Sequence, residues 1–164
     1  MTLKRFLSAT AVATTLLWAT AAHADLYQFT ISGDYSATWQ LDSDALPDEV
    51  SFGERIAYID VVGSYDGAAT EYADIIFWNA QQDGGLTIQD YYGDQVLLDS
   101  VGLQIYGGSE DSPLFTTGVY SLTELEGTGQ YTLTISAVPE PATYGMVLAG
   151  VGLIGAVMRR RQAR

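Results

Sequence analysis

The chain contains no cysteine and one histidine, His23, among its 164 residues. Without thiols there is no disulfide scaffold, no thiolate zinc site and no Cys nucleophile. Bases are scarce too: 7 Lys+Arg face 20 Asp+Glu, a formal net charge of −13. Binding phosphates takes a basic face, so nucleic acid is excluded as a partner. Charged residues make up only 16% and hydrophobic ones 48%, so this is not a disordered acidic chain. The length leaves room for one domain plus targeting segments.

Both ends read as addresses. Met1-Thr2-Leu3-Lys4-Arg5 is a basic head, and Phe6 to Ala19 carries no charge. Ala22-His23-Ala24 then places small residues, Ala22 and Ala24, at −3 and −1 before Asp25. This predicts a secretory signal peptide over residues 1–24. An amphipathic helix of the domain is the alternative, but no polar stripe recurs at helical spacing. The only histidine leaves with the signal, and a Ser-His-Asp triad goes with it.

At the other end, residues 138–164 combine Val138-Pro139-Glu140-Pro141, an uncharged run from Ala142 to Met158, and Arg159-Arg160-Arg161. Each proline fixes its own φ and extends the residue before it. The run predicts a transmembrane helix of about 25 Å, slightly short of a hydrocarbon core of about 30 Å. Gly145, Gly150, Gly152 and Gly155 weaken it, and local thinning of the bilayer lets a short helix span. The arginine cluster stays cytoplasmic, which puts the preceding domain outside.

Proline-glutamate-proline, apolar run and arginine cluster, in that order, resemble the PEP-CTERM sorting signal of bacterial exported proteins. The resemblance implies recognition by an exosortase, a membrane-embedded processing enzyme. It implies removal of the tail near Pro139, Glu140 and Pro141, and passage of the domain to the cell surface or extracellular matrix. Such proteins accompany extracellular polysaccharide and biofilm. The domain itself looks like a recurrent, uncharacterised type of PEP-CTERM protein. That likeness lies in Phe29-Thr30-Ile31-Ser32-Gly33-Asp34-Tyr35-Ser36-Ala37-Thr38-Trp39, in Asp74-Ile75-Ile76-Phe77-Trp78-Asn79 with Gly84-Gly85-Leu86, and in Pro113-Leu114-Phe115-Thr116-Thr117-Gly118. It transfers no activity.

Residues 25–137 read as an all-β domain. Tyr27/Phe29/Ile31, Tyr35/Ala37/Trp39/Leu41 and Tyr131/Leu133/Ile135 alternate with polar residues, which marks half-buried strands. Residues 55–62 and 74–79 are apolar on both parities and read as central strands. Shorter candidates are 86–88, 96–98, 103–106 and 115–122. Turn signals fall at Ser32-Gly33-Asp34, Asp66-Gly67, Asp83-Gly84-Gly85, Tyr92-Gly93-Asp94, Gly107-Gly108 and Gly127-Thr128-Gly129. The spacing predicts an antiparallel β-sandwich or flattened barrel of about eight or nine strands, with Trp39 and Trp78 as large core pieces.

This domain holds 19 of the acids and one base, Arg55, a charge of −18. Acid–base chemistry would rest on carboxylates alone, as in a glycoside hydrolase. The candidate pairs are Asp42 with Asp44, Asp48 with Glu49, and Glu110 with Asp111, all in loops. Asp60 and Asp74 lie in or beside apolar strands, where Arg55 is a candidate ion-pair partner. Asp42, Asp44, Asp48 and Glu49 put four carboxylates in eight residues, a ligand count that suits calcium; no other cofactor is implied. Pro47 occupies the position where an EF-hand needs glycine. Tyr91 and Tyr92, between Asp90 and Asp94, and Tyr65 beside Asp66 are loop aromatics of the kind that stack on sugars, with core or edge packing as the plainer role. The expectation is a non-enzymatic surface protein acting by structure, adhesion or glycan binding, with a hydrolase or a calcium-binding domain as the alternatives.

Overall fold

The computed structural model describes residues 26–92 and 95–138. The expected signal peptide with Ala22 and Ala24, the Pro139-Glu140-Pro141 motif, the apolar run expected to cross the membrane and the arginine cluster lie outside the described residues. The eleven strands are β1 (Leu26–Gly33), β2 (Ala37–Asp42), β3 (Glu49–Ser51), β4 (Arg55–Tyr65), β5 (Tyr72–Trp78), β6 (Leu86–Asp90), β7 (Val96–Gly102), β8 (Tyr106–Ser109), β9 (Ser112–Phe115), β10 (Gly118–Glu124) and β11 (Gln130–Val138).

Pairing runs β2-β1-β11-β10-β7-β6-β5-β4, and β2 returns to β4. That last contact, Ala37↔Tyr65 to Trp39↔Gly63, closes an eight-stranded barrel in which every pairing is antiparallel. Of the two expected architectures, the structure is the barrel. Closure removes the exposed edges that an open sheet would leave. β3 adds to the outside of β4, and β8 with β9 forms a separate hairpin.

The alternating strands send one parity inward. Phe29 and Ile31, Ala37, Trp39 and Leu41, and Tyr131, Leu133 and Ile135 are all buried in one core. Trp39 stacks on Phe29 at 5.1 Å, and Phe115 meets Phe29 and Phe77 at 5.1 and 5.0 Å. Phe115 arrives from β9, so the β8–β9 hairpin plugs one end of the barrel. Such ring contacts add about 0.5–1.5 kcal/mol per pair beyond burial.

The two-sided apolar pattern of residues 55–62 and 74–79 has a different cause from a sandwich centre. Ala57, Ile76 and Thr87 form a register row across β4, β5 and β6 and are buried outside the main core. Trp78 belongs to this outer face. It is half-buried, and its Nε1 donates to Thr87 Oγ1 at 2.8 Å, so it is not a core piece like Trp39.

Several local expectations shift. Residues 103–106 are a connection that reaches β8 only at Tyr106, and 115–122 is split between β9 and β10 by Thr116-Thr117. Gly107-Gly108 lies within β8, and the hairpin turns at Glu110-Asp111. Asp83-Gly84-Gly85 ends a longer connection that includes a 3-10 turn, Ala80–Gln82, capped by the Asn79 side chain. Gly85 has φ +77°, and a Cβ there would collide with the Ser100 carbonyl, so both its conformation and its packing require glycine.

Candidate functional site

The strand register sorts the loops into two ends. Leu26 pairs with Val138 and with Asp42, so both termini of the barrel leave from one end. The β4–β5 loop (66–71) and, of the β6–β7 loop, residues 91, 92 and 95 lie at the other. Ala73 pairs with Asp90 there, which brings the start of β5 beside the end of β6.

At that far end the structure assembles three tyrosines. Tyr91 and Tyr92 meet edge to face at 5.2 Å, and Tyr72 approaches Tyr91 at 5.9 Å. All three are exposed, Tyr92 by 65%. Beside them is a surface depression of about 730 Å³ lined by Asp60, Thr70, Glu71, Tyr72 and Tyr91 among others. The sequence pointed to Tyr91 and Tyr92. It missed Tyr72, which opens β5 two residues before the strand read at 74–79. Tyr65 is excluded from this site: it is buried in the core and its hydroxyl donates to the Val61 carbonyl at 3.0 Å.

Asp60 enters through a β-bulge. Between Tyr58 and Val61, Ile59 and Asp60 stand opposite the single residue Asp74, one extra residue in β4, and Asp60 has φ +54°. The backbone groups that the bulge frees are taken up by two carboxylates. Ile59 N donates to Asp48 Oδ2 at 2.8 Å, and Asp60 N donates to Asp74 Oδ1 at 3.0 Å. Burial lifts the Asp74 carboxyl above the usual carboxylate range, against the lowering effect of the Asp60 N–H; the Asp60, Glu49 and Asp48 charges push it further up.

The other acidic candidates serve local structure. Asp42 Oδ1 accepts from Asp44 N at 2.9 Å, a turn closed by its own side chain. Arg55 pairs with Glu49 at 3.2 Å, not with Asp60 or Asp74 as the strand placement suggested. Glu110 accepts from Gly53 N at 2.7 Å, Asn79 Nδ2 at 2.9 Å and the Tyr106 hydroxyl at 3.2 Å. Those bonds, led by the Gly53 N–H, hold its carboxyl below the usual range and fasten the β8–β9 hairpin to the barrel. Among the described residues, no three acidic side chains gather closely enough to hold a metal ion. The run Asp42, Asp44, Asp48 and Glu49 is therefore spread over a turn, a bulge and an ion pair. Among the described residues no helix is long and apolar enough to cross a membrane.

Residues 137–162 match the PEP-CTERM protein-sorting motif. No curated protein and no solved structure matches the chain.

Proposed function

We propose that this chain is an exported protein, held at the membrane by its tail for exosortase processing, whose barrel is a non-enzymatic module that binds extracellular polysaccharide through Tyr72, Tyr91 and Tyr92. The sorting motif at 137–162 supports the export and processing route. The single observation behind the binding role is the exposed tyrosine cluster beside an acidic, hydroxyl-bearing depression. Aromatic faces stack on the apolar faces of sugar rings, and carboxylates accept from the ring hydroxyls.

The non-enzymatic reading is supported by the use made of the candidate carboxylates. Asp42, Asp48, Glu49 and Glu110 each hold a turn, a bulge, an ion pair or a hairpin. A glycosidase needs two carboxyls free to face each other across a cleft, roughly 5–9.5 Å apart.

Glycan-array binding followed by titration tests the site. Tyr92→Ala and Tyr91→Ala should each weaken binding about tenfold or more, the change that about 1.4 kcal/mol produces. Undiminished binding by both variants refutes the aromatic site.

A further inference from the structure

We propose that the tail-bearing end of the barrel rests on the lipid bilayer while the anchor is intact, through Phe52, Leu103 and Leu114. This rests on the reading of residues 142–158 as a membrane anchor. The three side chains come from the β3–β4 turn, the β7–β8 connection and β9, all at the end where Val138 leaves the barrel. Each is largely in water, Phe52 by 76% and Leu103 by 72%. They are held there by the fold. Leu114 alternates with Pro113 and Phe115, which face inward. Phe52 precedes Gly53, whose N–H is bonded to Glu110. Gly85 N donates to the Leu103 carbonyl at 3.3 Å, which fixes that connection against the β5–β6 loop.

The occupant follows from the length of chain beyond the barrel. Four peptide steps separate Val138 from Ala142, where the apolar run begins. Fully extended, they reach about 14 Å. A barrel tethered so closely meets the bilayer surface first with this end. Large apolar side chains at loop tips then enter the interface, where their burial is favourable. The exposed charges at this end, Glu49, Glu54, Asp83 and Asp111, are acidic, and the neighbouring base Arg55 is paired with Glu49, so the face suits zwitterionic lipid and is repelled by anionic lipid. The tyrosine cluster at the opposite end points outward.

The cysteine-free chain allows single-site labelling. Protein with its tail intact, purified from membranes of an exosortase-deficient host, would carry an environment-sensitive fluorophore at Phe52→Cys or, at the far end, at Thr128→Cys. In phosphatidylcholine vesicles the Phe52 label should shift to the blue and brighten, and the Thr128 label should not. Anionic vesicles should give a smaller shift. If the chain floats with the vesicles but the Phe52 label does not shift, the contact face is wrong and the anchor stands. If the chain does not float, the anchor reading fails and the face with it. A Phe52 shift without vesicles that grows with protein concentration assigns the face to a second copy and overturns the proposal.

Discussion

Trp39 shows how a single residue specifies this interior. It lies 2% exposed between Phe29 and Tyr65, at ring distances of 5.1 and 6.3 Å. Its indole Nε1 is buried without an acceptor among the described residues, so its contribution comes from volume and stacking. Trp39→Ala should cost about 3–5 kcal/mol in chemical denaturation. Trp39→Phe should cost less, since it keeps a ring and removes an unsatisfied donor. Trp78→Ala should fall below the Trp39→Ala range, because part of that side chain already meets solvent. Equal losses at both tryptophans would contradict the inside–outside assignment. The sequence pattern placed Trp39 correctly through its alternation. It misplaced Trp78, because an outward residue over Thr87 is as apolar as an inward one.

The bulge in β4 is the element whose energetics depend on pH. Its two freed amides are held by Asp48 and Asp74, and burial makes the ionised form of Asp74 costly. A carboxyl raised in the folded state binds its proton more tightly than in the unfolded chain. Its contribution to stability is therefore greatest below the ordinary carboxylate range. It declines as pH rises through the raised value and is flat above. Asp74→Asn keeps an acceptor for Asp60 N and removes the charge. The variant should melt higher than the wild type at pH 7, and the difference should vanish in acid. A gap that is unchanged across that range would show that the Asp74 charge is not the cause. None of this was visible in the sequence, where Asp60 and Asp74 marked only acids beside apolar strands. The strands with clean alternation, β1, β2 and β11, were legible. β3 is three residues long with no pattern of its own, and the β8–β9 hairpin hides behind Gly107-Gly108, which has the composition of a turn.

At the scale of the whole molecule, the eight strands of the barrel and their antiparallel pairing followed from turn spacing; the three further strands, β3, β8 and β9, did not. Closure did not, because it depends on three residue pairs between β2 and β4 that neither strand announces. Closure also decides the functional layout. It puts Val138, the last described residue before the tail, at one end and the three tyrosines at the other, so a barrel anchored through that tail would present its aromatic cluster away from the membrane. Tyr91 and Tyr92 were legible as loop aromatics. Their grouping with Tyr72 and Asp60 needed the register of β4, β5 and β6. Export and processing are tested most directly by intact-mass spectrometry of the protein from its native host, with and without the exosortase. The predicted result is a mature chain lacking residues 1–24 and ending near the Pro139-Glu140-Pro141 motif, with the tail retained when the exosortase is absent. A dominant species that keeps residues 142–164 in the presence of the enzyme would contradict it.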